Sequence, residues 1–311
     1  MKIFIAGHKG LVGSALARRA QLNNYELITR NRSELDLTNR LEVIDFMKEN
    51  HPDCVFIAAA KVGGIYANNT YPVDFLLENL KIQNNLIEAS YEAKINKLLF
   101  LGSSCIFPKM TPQPMDEKAL LTGPLEKTNE AYSIAKITGI KLCNAYNKQY
   151  GTDYLCVMPS NMYGINDNYH LENAHALPML LRRIHEEKEK GSKEVIVWGD
   201  GTPKREFMFA DDLAEACFHL IKSCKASDLQ DEFINIGTGK DVTIAELVEI
   251  IKEVVGFKGE TVYDTTKPNG TPKKLLNVAK INSLGWKSKT ILKDGISKTY
   301  QDFLNNKTLR M

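Results

Sequence analysis

Residues 3 to 13 read Ile3-Phe4-Ile5-Ala6-Gly7-His8-Lys9-Gly10-Leu11-Val12-Gly13, and how the rest of the chain is read depends on them. An apolar run enters three glycines spaced three apart, and a segment of helical period from Leu11 to Leu22 follows. A strand that ends in such a turn and opens a helix leaves backbone N–H groups and the positive helix end facing an anion, and the missing Cβ atoms let that anion come close. A glycine triplet by itself is often only a tight turn. This context points to a dinucleotide pyrophosphate.

Outward from this turn, short β-branched runs alternate with helical segments, the pattern of βαβ units and a parallel sheet covered on both faces. Strands are expected at Ile3 to Ala6, Tyr25 to Arg30, Cys54 to Ala59, Lys97 to Leu101 and Tyr154 to Met158. Helices are expected at Leu11 to Leu22, Leu41 to Asn50, Val73 to Ala93 and Glu130 to Tyr150, with the Pro-rich stretch Pro108 to Pro124 as a surface loop. Beyond Pro159 the alternation loosens: Tyr163 to Ala174 reads as a loop and Leu177 to Lys190 as a helix. Val195 to Trp198, Phe233 to Ile236 and Thr261 to Tyr263 read as strands, Asp212 to Lys222 and Ile244 to Val255 as helices. The fold class is α/β: a Rossmann-type doubly wound parallel sheet over residues 1–165 with a smaller C-terminal α/β lobe over 166–311. The chain is expected to cross back to the sheet within about 205–240.

With 311 residues, 43% of them hydrophobic, the chain can bury a substantial core. Its 40 Lys+Arg against 38 Asp+Glu give a net charge of +2, which supplies no global field for nucleic acid or an anionic membrane. Bound anions must be held by local clusters. No apolar stretch approaches the roughly twenty residues of a membrane span, and the first residues lack the pattern of a secretion signal. Six cysteines (54, 105, 143, 156, 217 and 224) show no C-x-x-C pair. The expectation is a soluble cytoplasmic protein with reduced thiols and no metal site.

An NAD site usually carries a carboxylate at the end of strand 2, on the ribose 2′-hydroxyl. Here the chain reads Thr29-Arg30-Asn31-Arg32. Lys9 and Arg32 can converge on a 2′-phosphate, which argues for NADP(H); Arg30, and less so Arg32, also reads as a solvent-facing loop base. Tyr132 and Lys136 lie at i and i+4 on one helix face, a phenol beside an ammonium that would lower its pKa and also hold the nicotinamide ribose. Ser103, after strand 4, lies where open α/β sheets place ligands.

These features occur with Ala58-Ala59-Ala60-Lys61-Val62-Gly63-Gly64-Ile65, Ala67-Asn68-Asn69-Thr70-Tyr71-Pro72, Leu98-Leu99-Phe100-Leu101-Gly102-Ser103-Ser104-Cys105-Ile106 and Tyr132-Ser133-Ile134-Ala135-Lys136. Met158-Pro159-Ser160-Asn161-Met162-Tyr163-Gly164, Val197-Trp198-Gly199 and Lys267-Pro268-Asn269-Gly270-Thr271-Pro272 complete the set. Over almost its whole length the chain resembles the extended short-chain dehydrogenase/reductase superfamily and, within it, the epimerase/reductases of GDP-4-keto-6-deoxymannose. The resemblance implies that Ser103, Tyr132 and Lys136 carry out C4 reduction, and that Cys105 and His175 invert C3 and C5. Thiol and imidazole titrate near neutrality, and protons beside a ketone are acidic enough to be lost to an enolate. It also implies cofactor contacts at Gly7, Lys9, Gly10, Gly13, Arg32, Asp36, Leu101, Ser104, Lys136, Pro159, Asn161, Met162 and His175. Sugar-nucleotide contacts fall to Asn161, Arg183, Trp198, Arg205 and Asn269, with Lys273 and Lys274 as added charge or a solvated turn. A homodimer through the two long helices follows from the same resemblance.

Departures from the family pattern are Lys9 for Arg, Ile165 for Pro, Asn269 for Asp and Phe209 for His, the last expected close to the sugar pocket. They question the substrate more than the reaction. One alternative is therefore a GDP-sugar 4-ketoreductase without epimerase activity, for example on a deoxyheptose. A second is a non-catalytic NADP-sensing protein on the same fold, although such a protein tends to lose the Tyr or the Lys.

Overall fold

The computed structural model describes residues 1–170, 174–229, 231–267 and 269–306. The chain runs β1 (Lys2–Ala6), α1 (Leu11–Leu22), β2 (Glu26–Ile28), α2 (Arg40–Asn50), β3 (Cys54–Ile57), α3 (Ile65–Thr70), α4 (Pro72–Glu92), β4 (Lys97–Leu101), α5 (Glu130–Tyr150) and β5 (Asp153–Pro159). It continues with β6 (Asn161–Tyr163), α6 (Ala176–Glu189), β7 (Glu194–Trp198), β8 (Lys204–Arg205), β9 (Phe207–Phe209), α7 (Ala210–Ser223) and β10 (Ile234–Ile236). Last come β11 (Val242–Thr243), α8 (Ile244–Val255), β12 (Glu260–Asp264), β13 (Lys273–Lys274), α9 (Ala279–Ser283) and α10 (Leu292–Asn305).

Six strands form one parallel sheet in the order β10-β5-β4-β3-β1-β2. All of β3 and nearly all of β1 and β4 are buried, as both-face coverage demands. One face packs on α2, α4 and α5 through Val43, Met47, Leu86, Ile140 and Cys143. The other packs on α1 and α7 through Leu16, Ala20, Leu213 and Cys217. From β1 the chain winds first to β2 and then back to β3, so the switch point, and with it the crevice for a ligand, lies outside the carboxyl ends of β1 and β3. A third core joins α6, α8, α10 and β7 through Leu180, Val195, Leu247 and Ile296. No helix among the described residues is long and apolar enough to cross a membrane.

The structure departs from the sequence reading in three places. The 108–124 stretch is no free surface loop. Met115 is buried, donates its N–H to the Leu275 carbonyl at 2.7 Å and accepts from Asn277 N at 2.9 Å, which ties the stretch to the C-terminal lobe. The expected loop from Tyr163 begins inside β6, which pairs with β9. Phe209 lies at 4% exposure in the third core, its ring 5.7 Å from that of Tyr163, and it is not among the residues that line the large cleft. Backbone pairing drives the β6–β9 match, and this turns the Phe209 ring inward with the apolar side chains of the lobe.

Candidate active site

A cleft of about 1070 Å³ opens at the switch point. Gly7 has φ +88°, and a Cβ there would stand 2.6 Å from Ala59 N; one on Gly13 would stand 2.0 Å from the Gly7 carbonyl oxygen. Both glycines are therefore demanded by the fold. Gly10 differs: its N–H closes the turn on Gly7 O at 3.0 Å, and a Cβ would meet only Gly7 O, at 3.4 Å. The space beside Gly10 is kept for something outside the protein. Gly10 also caps α1 without a side-chain bond, so the helix end presents its N–H groups to the cleft.

At the β2 end, Arg30 lines the cleft with its guanidinium donating to its neighbour's carbonyl (Thr29 O, 2.8 Å) and lying over the Phe46 ring at 5.2 Å. Arg32 is 76% exposed and pairs with Glu78 at 3.3 Å across the cleft mouth. Asp36 turns inward on Thr38, accepting from its N–H (2.9 Å) and hydroxyl (2.8 Å); these bonds hold its carboxyl below the usual range. His8 Nδ1 and Asn31 Oδ1 line the cleft as buried polar atoms without partners. A pyrophosphate cradle with two orphaned polar atoms beside it fits a dinucleotide.

Leu101, Ser103, Ser104, Tyr132, Lys136, Pro159, Asn161, Met162 and His175 line the other end of the same cleft. The Ser103 hydroxyl accepts the Cys105 N–H at 3.5 Å and hydrogen-bonds the Tyr132 phenol. Lys136 is 3% exposed; its ammonium donates to the Leu101 carbonyl at 2.9 Å and lies 4.9 Å from the Phe100 ring centre and 5.8 Å from that of Tyr132. Burial pulls its pKa down to about 8, against a smaller upward pull from Cys105. Tyr132 shifts opposite to the sequence expectation: burial and then Cys105 raise its pKa, and only the Ser103 bond lowers it. Burial thus keeps the phenol protonated, while the lysine donates to Leu101 O.

His175 stands just before α6, exposed to the cleft, with its pKa lowered because the protein around it withdraws water from the cation. Cys105, 8% exposed, does not line the large cleft. It borders a small adjoining hollow with Ser104, Gln113, Glu126, Lys273 and Lys274.

Four of the expected sugar-nucleotide contacts lie off the cleft wall but close to one another. Arg183 lies 5.2 Å and Lys267 5.7 Å from the ring centre of half-exposed Trp198. Asn269 Oδ1 accepts the Asp200 N–H at 2.9 Å, and a Cβ on the neighbouring Gly270 would stand 3.5 Å from Arg205. Asn161 bridges the two ends: it lines the cleft and donates to the Glu206 carbonyl at 2.7 Å. Glu206, between β8 and β9, in turn accepts from Gly239 N at 2.7 Å and Leu276 N at 2.9 Å, tying the turn after β10 to the segment after β13.

The sequence reading left Lys273 and Lys274 open between added charge and a solvated turn. They form β13, which pairs with β8 so that Lys274 stands beside Arg205; burial lowers the Lys274 pKa. A dilysine flanked by Pro272 and the apolar Leu275-Leu276 was the available signal.

A model of the NAD dependent epimerase/dehydratase family matches residues 3–237. The chain is 55% identical over 306 residues to GDP-L-fucose synthase 1 of Arabidopsis thaliana, covering 98% of this chain and 94% of the relative. It is 51% identical over 311 residues to the GDP-L-fucose synthase of Escherichia coli (strain K12), covering 98% and 97%. Among solved structures, a GDP-mannoheptose C4 reductase from Campylobacter jejuni with NADP bound matches at TM-score 0.89 and 36% identity over 98% of each chain.

Proposed function

Because this chain belongs to the NAD dependent epimerase/dehydratase family, we propose that it converts GDP-4-keto-6-deoxy-D-mannose to GDP-L-fucose, using NADPH, by inversion at C3 and C5 and reduction at C4. The convergence of Ser103, Tyr132, Lys136 and His175 on one cleft at the end of β4, with Cys105 in the small hollow that adjoins it, carries the proposal. Identities of 51% and 55% to two synthases, against 36% to a heptose reductase, favour the deoxyhexose. The heptose reductase's bound NADP, together with Lys9, Arg32 and the missing β2 carboxylate, supports the phosphorylated cofactor.

In this reading residues 1–165 hold the cofactor and 166–311 mainly the sugar nucleotide. Gly7, Gly10 and Gly13 present the α1 N-terminus to the pyrophosphate, Lys9 and Arg32 meet the 2′-phosphate, and Asp36, Leu101, Ser104, Pro159, Asn161 and Met162 line its path. Bound NADPH supplies a hydride for C4. Ser103 and Tyr132 hold the C4 oxygen, where negative charge develops both in the enolate and during reduction. The raised pKa keeps Tyr132 loaded with the proton that the new hydroxyl needs, and Lys136 holds the nicotinamide ribose. Cys105 and neutral His175 exchange protons at C3 and C5, one removing and one returning. Arg183, Arg205 and Lys274 meet the diphosphate, while Trp198 offers a stacking face and Asn269 keeps its turn in place.

The test is product NMR after turnover in deuterated buffer. Wild type should give GDP-L-fucose carrying deuterium at C3 and C5. Tyr132→Phe should lose NADPH oxidation, whereas Cys105→Ala should lose solvent exchange but still reduce a ketosugar already epimerised. Reduction by wild type with no deuterium at either carbon would leave a 4-ketoreductase only. We further propose a cytoplasmic homodimer joined through α4 and α5, which pack together and expose Val73, Leu77 and Ile134.

A further inference from the structure

Two parts of the molecule far apart in sequence meet above the glycine turn. The Asn166 carboxamide donates from Nδ2 to the Lys9 carbonyl at 2.7 Å. Asn166 is itself fixed: its backbone N–H donates to the Asp302 carboxylate of α10 at 2.8 Å, and its φ of +66° is a left-handed conformation that asparagine tolerates better than most residues. The peptide between Lys9 and Gly10 is thereby held at both ends, by Asn166 on its C=O and by Gly7 O on its N–H, at 3.0 Å. A trans peptide is a rigid plane, so these two bonds fix its tilt. That plane is the middle of the turn that aims the first N–H groups of α1, and Asn166 also lines the cleft.

We infer that Asn166, braced by Asp302, is a positioning residue for the dinucleotide: a clasp from the C-terminal lobe that pre-organises the glycine turn for its pyrophosphate. The inference rests on the cofactor reading above. The carboxamide touches the turn from outside, so its effect belongs to cofactor affinity and residence time and not to the chemistry at C4. Holding the turn in its binding shape before the ligand arrives removes an ordering cost from association.

The preferred variant is Asn166→Gly, which deletes the carboxamide and keeps the positive φ free of strain. NADPH binding is followed by its fluorescence, at equilibrium and in stopped-flow displacement by excess NADP. Loss of one hydrogen bond predicts affinity weaker by about 3- to 10-fold, mostly through faster release. The turnover number at saturating NADPH and the KM for the GDP-sugar should stay within about twofold of wild type. Asn166→Asp, which removes the donor and sets a carboxylate near the pyrophosphate, should weaken binding further. Asp302→Ala, which removes the acceptor, should weaken it in the same direction and be non-additive with Asn166→Gly. Unchanged NADPH affinity in Asn166→Gly overturns the clasp, as does a fall in turnover number and sugar KM together with melting temperature, the mark of general destabilisation. Wild-type protein that binds no NADPH overturns the cofactor reading and the clasp with it.

Discussion

Lys136→Met tests the electrostatics of the site at a position where the structure sets both sign and size. The ammonium is 3% exposed, and its pKa falls from the ordinary 10.5 to about 8, chiefly through burial. At about 1.4 kcal/mol per pH unit, keeping it charged inside the folded protein costs roughly 3 kcal/mol at neutral pH. Methionine of similar reach removes that cost but forfeits the bond to Leu101 O and the Phe100 contact, leaving a buried carbonyl without its donor, worth about 1–2 kcal/mol. The variant should therefore be more stable than wild type by about 1–2 kcal/mol at pH 7. Between pH 8 and 10.5 the folded wild type has shed a proton that its unfolded chain still binds, so its stability rises relative to the variant. The difference should shrink and change sign near pH 9–10. Urea unfolding at half-unit steps from pH 6.5 to 10.5 measures it, with every other ionisable group common to both proteins. A stability difference that stays flat across the interval would refute the assignment of a strained, buried charge. NADPH turnover should meanwhile fall at least about a hundredfold, the usual size of a lost proton-transfer or positioning group.

The turn glycines separate structural from ligand demands. Gly13→Ala places a methyl 2.0 Å from the Gly7 carbonyl and should lower the melting temperature by several degrees, whereas Gly10→Ala, which meets only an atom at 3.4 Å, should melt close to wild type yet bind NADPH at least about tenfold more weakly. Equal NADPH affinity in Gly10→Ala and wild type would show that no ligand approaches that turn. In sedimentation the wild type should run as a dimer. Leu77→Lys, charging the exposed α4 face beside Val73, should shift it to monomer with the melting curve little changed at high protein concentration. A wild type that is monomeric at tens of micromolar rejects that interface.

What could be read from the sequence follows the distance over which each feature is built. The β1 turn, the i, i+4 spacing of Tyr132 and Lys136 and the strand-helix alternation are local, and the fold carries them to within a residue or three. Local spacing does not reveal where a charge ends up. Lys136 was expected to act on the Tyr132 hydroxyl, but its ammonium bonds to Leu101 O, thirty-five residues earlier, and the phenol's pKa rises. The sugar-nucleotide end is more non-local still. β8 and β13 are two residues each, too short for any periodicity, and their parallel pairing sets Lys274 beside Arg205 across some seventy residues of sequence. β6 and β9, three residues each, likewise take Phe209 into the core.

This contrast bears on how the site divides its work. The glycine turn of the dinucleotide end is built from contiguous chain, so its demands fall on a residue type at a fixed spacing, while the Asn166 clasp on it comes from far along the sequence. At the sugar end, positions such as Asn269 are fixed by turns and short pairings that the backbone makes for itself: its side chain bonds the Asp200 N–H, a role that aspartate's carboxylate oxygen would fill equally well. Exchanging Asp for Asn there keeps the turn and removes one negative charge beside the basic cluster of Arg183, Arg205 and Lys267. Under the proposed function, that change favours an anionic ligand there and leaves discrimination among sugars to the residues proposed around the C4 carbonyl.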